Sequence, residues 1–157
     1  VAAIPVLAIT GNRASAETSG YSTYTASIPS DGTIPQISEG TQALTASITP
    51  TSATKILRVT VSGTIATSGD GTVTVALFRD STADAVKAQF LYTAIASDSS
   101  YCTGFVYRVV AGSVSSTTFS VRVGDSAATT VSIGGYAGSA NLGTTQSLLL
   151  EIEEITP

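Results

Sequence analysis

Apolar and polar residues alternate along much of the chain, which is the pattern of β-strands that bury one face. In the clearest stretch, Leu57, Val59 and Val61 are separated by single polar residues. Such runs are rich in β-branched and aromatic residues, and no long window has the apolar spacing of an amphipathic helix. Clusters of Gly, Asp and Ser that favour turns separate the runs. The pattern predicts eight strands, near residues 42–49, 55–66, 72–79, 86–95, 103–111, 117–124, 129–136 and 147–155.

Short strands at regular intervals predict an all-β fold, and an antiparallel jelly-roll β-sandwich fits eight of them best. A β-barrel is the alternative. We assign this domain to residues 31–157. Residues 1–30 are expected to form an irregular N-terminal arm or leader, because the stretch Gly11–Pro35 is dense in Ser, Thr, Gly and Ala and shows little periodicity. The chain also begins without Met, so we expect a segment upstream of it.

Several predicted strands carry apolar residues on both faces, as at Ile56 and Leu57, or at Val106 and Val110. A strand that is buried on both faces needs a second layer or a partner subunit to cover it. Only 11% of the residues are charged, against about 25% in a typical soluble domain. Because a surface buried in an assembly needs few charges, the sequence predicts an oligomer.

The composition excludes several kinds of chemistry. The chain has no His and one Cys, whereas catalytic triads, most acid–base sites and transition-metal sites use His or several Cys, and one Cys forms no intrachain disulfide. Acidic residues outnumber basic ones by 11 to 7, which argues against binding to nucleic acid and against a polybasic membrane anchor. The nearly uncharged stretch Ala14–Thr54 is too polar to span a bilayer. We expect no cofactor, no metal and no stable membrane insertion.

Four arginines are the main candidates for contacts with a partner or a ligand. Arg108 and Arg122 interrupt strands whose neighbours are apolar. One interpretation is a side-chain stem that covers apolar surface while its charged head reaches water. The other is an intersubunit ion pair, or a fork that holds a small carboxylate or an acidic sugar between subunits. The candidate contacts are Arg58, Arg79, Arg108 and Arg122.

Two tyrosines and two glutamates complete the candidates. Tyr101 and Tyr136 lie near the ends of predicted strands and are candidates for an exposed recognition face, although packing is the usual role of such rings. Glu151 and Glu153 point the same way from the last predicted strand, and paired carboxylates of this kind hydrolyse glycosides. A solvated outer face is the competing interpretation of the two glutamates, and the one we favour.

The sequence also resembles a known kind of protein from about Ser30 to its C-terminus. The similarity is to the C-terminal modules of bacteriophage tail-fibre and tail-tip proteins, and to the knob at the tip of a phage tail needle. It has no catalytic signature. The segments that carry it are Ile34–Gln42, Ile48–Leu57, Val75–Ala83, Thr118–Gly124 and Leu150–Ile155.

The resemblance implies a homotrimeric, TNF-like knob at the distal tip of a virion tail, attached to an upstream fibre or coiled-coil shaft. Such a knob is made in the cytoplasm of the host bacterium. It contacts a host cell-surface component, such as a glycan, during attachment, penetration or DNA delivery. The leading hypothesis from the sequence is therefore a non-enzymatic tail-tip knob.

Other hypotheses remain open at this point. A carbohydrate-binding β-sandwich that works as a monomer is the second, although only 6% of the residues are aromatic and none is Trp. A hydrolase that cleaves glycans with Glu151 and Glu153 is the third. A capsid decoration protein or a fibre-assembly protein would share the predicted fold and oligomeric state.

Overall fold

Strands make up all of the regular secondary structure in the described part of the chain. The computed structural model describes residues 11–93, 99–127, 129–136, 138–143 and 145–156. Eight strands in these ranges have five residues or more, and the other four are shorter. In chain order they are β1 (Arg13–Glu17), β2 (Ser22–Tyr24), β3 (Thr41–Ile48), β4 (Ile56–Thr67), β5 (Gly71–Arg79), β6 (Lys87–Thr93), β7 (Ser99–Val110), β8 (Thr117–Asp125), β9 (Val131–Ile133), β10 (Gly135–Tyr136), β11 (Ser139–Ala140) and β12 (Leu148–Ile155).

The predicted strands are confirmed with small shifts of their ends. Strand β7 begins at Ser99, four residues earlier than predicted, because its pairing with β4 extends as far as Thr67. The region 129–136 holds two short strands, β9 and β10, instead of one. The last two residues of the predicted strand at 86–95 lie outside the described residues.

Ten of the strands form two curled antiparallel sheets with a sandwich-like arrangement, and β10 pairs with β11 in a separate two-stranded sheet. The six-stranded sheet runs β1-β12-β4-β9-β2, and β7 pairs with the other edge of β4. The four-stranded sheet runs β3-β8-β5-β6. The sheets meet along both margins, where β1 lies beside β3 and β6 lies beside β7. The predicted all-β class is therefore confirmed. No helix in the described ranges is long and apolar enough to cross a membrane.

The main core lies between the two sheets and is built from the alternating residues that the sequence pattern identified. Because alternate side chains of a strand point to the same face, each strand contributes a row of apolar residues to the core. Burying these side chains supplies the main favourable free energy of folding. Fully buried members include Leu57, Val59, Val61 and Ile65 of β4, Val73, Val75 and Leu77 of β5, Phe119, Val121 and Val123 of β8, and Leu148, Leu150 and Ile152 of β12.

A second, smaller core covers the outer face of the four-stranded sheet, meaning the face turned away from the main core. Ile28 is fully buried there against Ala76 and Phe78 of β5. The backbone of the covering segment comes so close to β8 that a Cβ built on Gly124 would lie 2.7 Å from the carbonyl oxygen of Ala26. Part of the second layer that the two-faced strands require is therefore supplied by the chain itself.

The prediction of an irregular arm over residues 1–30 needs correction for its described part, residues 11–30. Strand β1 pairs with β12 along five residues, and β2 pairs with β9. Strand β1 escaped the pattern analysis because its half-buried residues, Ala14 and Ala16, are too small to give a hydrophobic signal. Residues 1–10 lie outside the described residues, and the domain boundary at residue 31 stays a prediction.

Candidate functional site

The structure brings two of the four candidate arginines together. Arg58 on β4 and Arg108 on β7 are cross-strand partners on the outer face of the six-stranded sheet. Arg79 ends β5 and Arg122 lies on β8, so both belong to the four-stranded sheet. Arg58 and Arg108 are therefore the pair that the strand register places side by side.

Arg79 and Arg122 use their guanidinium groups to hold loops. The Nη2 of Arg79 donates a hydrogen bond of 2.7 Å to the carbonyl oxygen of Ala111. The Nε and Nη2 of Arg122 donate to the carbonyl oxygens of Glu39 and Gly40, at 2.7 and 2.8 Å. These bonds tie β5 and β8 to neighbouring loops, which is a structural role. A ligand role for the two residues stays a prediction.

Arg58 and Arg108 belong to a row of charged side chains that crosses four strands, which we call the charged row. Its members, in spatial order, are Arg13 of β1, Glu153 of β12, Arg58 and Arg108. Glu153 is only 4% exposed. It accepts a hydrogen bond from Arg58 and forms a longer ion pair with Arg13, at 3.6 Å. Arg13 also pairs with Glu151 at 2.5 Å.

The β7 end of the charged row has an excess of positive charge. Arg108 has no ion-pair partner among the described residues, and it lies directly opposite Arg58. Like charges at directly opposed positions destabilise a sheet. The Nε of Arg58 is buried and has no hydrogen-bond partner in the described structure. A further carboxylate at this point would offset the repulsion between the two guanidinium groups.

A shallow groove of about 380 Å³ opens at this end of the row, and we call it the arginine groove. Its lining consists of Arg58, Thr60, Val106 and Arg108. Guanidinium groups bind carboxylates and phosphates through paired hydrogen bonds, and a valine beside them offers apolar contact. The groove is therefore suited to an acidic group, which can be a side chain of another subunit or a small acid.

The two candidate tyrosines occupy different environments. Tyr136 on β10 is 43% exposed, and its backbone N–H donates to Asn141 Oδ1 at 2.9 Å. Tyr101 is half-buried on the face of β7 that is turned towards the core, opposite Ile65 of β4. Its ring is therefore poorly placed for the recognition role that the sequence analysis considered.

Two exposed aromatic residues lie outside the candidates that the sequence analysis selected. Phe90 and Tyr92 lie on the outer face of β6, and they are 65% and 70% exposed. Leu91 between them packs against the main core. The three consecutive apolar residues leave the core face open in the sequence, and the core position of Leu91 in the structure sends both flanking rings to the opposite face of the strand.

The acidic residues near the C-terminus are held by polar partners. Glu151 and Glu153 form the ion pairs of the charged row. Glu154 accepts hydrogen bonds from the hydroxyl and backbone N–H of Thr51, the latter at 2.8 Å. The hydroxyl bond is the main cause that holds the pKa of Glu154 below its ordinary value. No group of three or more metal-binding side chains occurs within the described ranges.

Comparisons with known proteins give no family for this chain. No protein-family model matches its sequence, and no curated protein matches it.

Proposed function

We propose that the chain is a non-enzymatic, homotrimeric jelly-roll knob at the distal tip of a bacteriophage tail. In this proposal an upstream fibre or coiled-coil shaft carries the knob, which contacts the host cell surface during attachment, penetration or DNA delivery. The resemblance of segments such as Ile34–Gln42 to phage tail-tip modules supports this setting. The exposed valines and the arginines on the outer face of the six-stranded sheet support an assembly of several subunits.

The pairing of the eight long strands supports the jelly-roll arrangement. The first pairs with the last (β1 with β12), the second with the seventh (β3 with β8), the third with the sixth (β4 with β7) and the fourth with the fifth (β5 with β6). This nested order is what results when one long antiparallel ribbon wraps around a core, as in double-sheet jelly rolls. The strand order therefore favours a jelly roll over the barrel alternative.

The observation that carries the subunit contact is the outer face of β4 and β7, and the number of three subunits comes from the resemblance to phage tail-tip modules. Val106 and Val110 are 49% and 55% exposed there, on either side of Arg108. Apolar residues around an arginine are typical of the centre of a protein–protein interface. A neighbouring subunit would bury the valines and bring a carboxylate to the arginine groove.

Sedimentation velocity on the full chain tests this proposal. We expect a species of three times the protomer mass at micromolar concentration. Val106→Asp combined with Arg108→Glu should shift it to the protomer, because the change puts negative charge into the interface. Val114→Asp is the matched control, since Val114 is 59% exposed in the loop after β7 and should leave the trimer intact. A wild-type chain that sediments as a stable monomer would contradict the proposal.

A carbohydrate-binding β-sandwich is the second candidate function, and the exposed rings of Phe90 and Tyr92 favour it. The hydrolase hypothesis receives no such support. Glu151 and Glu153 are each held in an ion pair with an arginine, and Glu153 is only 4% exposed, so their carboxylates are taken up by contacts within the protein.

A further inference from the structure

Phe90 and Tyr92 form an exposed aromatic pair on one strand. They alternate with Leu91 on β6, so their Cα atoms lie about 7 Å apart on the same face. In register they oppose Thr74 and Thr72 of β5, which are small and nearly buried. The two rings keep most of their surface in water, which is the informative kind of exposure for a large apolar group.

The ring of Phe90 forms one wall of a groove against the segment 29–35, and we call this the aromatic groove. Its volume is about 170 Å³, and its lining includes Asp31, Thr33 and Ala88. Pro29 and Pro35 lie at the two ends of the segment 29–35. Because proline fixes its own φ, both residues limit the conformations open to this wall.

Hydrogen bonds to the turn after β5 also hold the C-terminal end of this wall in place. Ala85 N–H donates to the carbonyl oxygen of Pro35 at 2.9 Å, and Ile37 N–H donates to that of Ala83 at 2.8 Å. A groove that is formed before the ligand arrives saves the ordering cost that would otherwise weaken binding.

Asp31 places a fixed carboxylate at the edge of the groove. Its Oδ1 accepts hydrogen bonds from the hydroxyl of Thr33 at 2.5 Å and from the backbone N–H of Thr33 at 2.7 Å. The hydroxyl bond, followed by the backbone bond, lowers the pKa of Asp31 from its ordinary value, so the group is ionised near neutral pH. Its Oδ2 has no hydrogen bond within the described structure and can accept one from a ligand.

The chemistry of this groove differs from that of the arginine groove. No lysine or arginine lines it among the described residues, which therefore offer an acidic ligand no cationic partner. It offers an aromatic face, a carboxylate acceptor and a threonine hydroxyl. A sugar ring matches this set, because its C–H face stacks on an aromatic ring while its hydroxyl groups donate to a carboxylate.

We propose that the aromatic groove is a binding subsite for neutral saccharides. Phe90 in the groove wall and Tyr92 beside it on β6 provide the stacking surface, and Asp31 accepts hydrogen bonds from the sugar hydroxyls. The inference deepens the proposed role in host-surface contact and depends on it only for the biological setting. Three such subsites on one rigid knob would gain avidity from weak individual binding.

The test begins with the full chain on a printed array that carries both neutral and acidic bacterial oligosaccharides. We expect binding to neutral members. Titration of the best neutral oligosaccharide by saturation-transfer NMR should then show an affinity loss of about tenfold or more for Phe90→Ala and for Tyr92→Ala. Asp31→Asn should cause a smaller loss. Phe90→Tyr should retain binding, because it keeps the ring.

Val114→Ala is the matched control, since it trims an exposed apolar side chain on another part of the surface and should leave the affinity unchanged. Thermal unfolding of each variant should match the wild type, because the altered side chains are exposed. Sedimentation of the same variants reports the trimer separately. A monomer that still binds through Phe90 would overturn the trimer and leave this inference standing.

Four results would overturn the saccharide subsite. The first is an array with no neutral glycan bound. The second is binding that survives both Phe90→Ala and Tyr92→Ala. The third is a change of oligomeric state in these variants, which would assign the rings to a subunit contact. The fourth is binding restricted to acidic glycans and lost in Arg108→Gln, which would place recognition in the arginine groove.

Discussion

The two sheets differ in how the apolar residues on their outer faces are covered. On the four-stranded sheet, Phe78 is covered by the chain's own segment around Ile28, and both side chains are fully buried. On the six-stranded sheet, the outer face is crossed by the charged row, and Val106 and Val110 beside it remain about half exposed. One face is closed within the protomer, whereas the other presents charge and apolar surface together.

The difference limits what an alternating pattern can say about assembly. Apolar residues on both faces of a strand require a cover, but the pattern does not say whether the cover comes from the same chain. At Phe78 the cover is the segment that contains Ile28, which the sequence analysis assigned to an arm. At Val110 no segment of the described structure covers the side chain. Only the second case points to a partner subunit.

The largest effect is expected from removing the cover on the four-stranded sheet. Ile28→Ala should lower the free energy of unfolding by about 3 kcal/mol, because it deletes a fully buried side chain and leaves a cavity against Phe78. Ile34→Ala is the matched control, since Ile34 is 53% exposed in the same segment and should cost less than about 0.5 kcal/mol. Urea unfolding at one protein concentration measures both. Equal small losses would show that the segment is not a true layer of the fold.

A glycine on each outer face gives the next comparison. Gly124→Ala should cost about 2 kcal/mol, because the new Cβ would lie 2.7 to 2.8 Å from backbone and side-chain atoms of Ala26 and Ile28. Gly104→Ala on β7 should stay within about 0.5 kcal/mol, since its Cβ would meet nothing closer than 3.5 Å. Thermal unfolding of both variants is the measurement. A neutral Gly124→Ala would mean that the covering segment can withdraw without cost.

The strands were predictable because their own residues carry the signal. Leu57, Val59 and Val61 alternate so regularly that the core face of β4 follows from period two alone. Strand β1 was not predictable in this way. Its inward residues are alanines, and it is a strand because β12 offers a partner edge, which is information held more than a hundred residues away in the chain.

The candidate site was predictable only as a set of residue types. The sequence singled out four arginines, but whether two of them meet depends on the register of β4 against β7, which places Arg58 opposite Arg108. A shift of one residue would turn one of them to the core face. Phe90 and Tyr92 were not among the selected candidates for a related reason. Their exposure follows only once Leu91 is known to be the core position of β6.

The smallest losses of stability are expected from removing polar contacts on the two outer faces, and we expect these losses to differ in their dependence on salt. Arg122→Gln on the four-stranded sheet should cost about 1 kcal/mol, because it removes hydrogen bonds to the carbonyl oxygens of Glu39 and Gly40, and the loss should persist in 1 M NaCl. Arg13→Gln in the charged row should cost about 0.5 kcal/mol in dilute buffer. The latter loss should fall towards zero at high salt, because Arg13 is 45% exposed and its pairing with Glu151 is screened. Urea unfolding of both variants at two salt concentrations gives the comparison. A salt-resistant loss at Arg13 would contradict the exposed character of its pairing with Glu151, since screening fails only where solvent and ions are kept out.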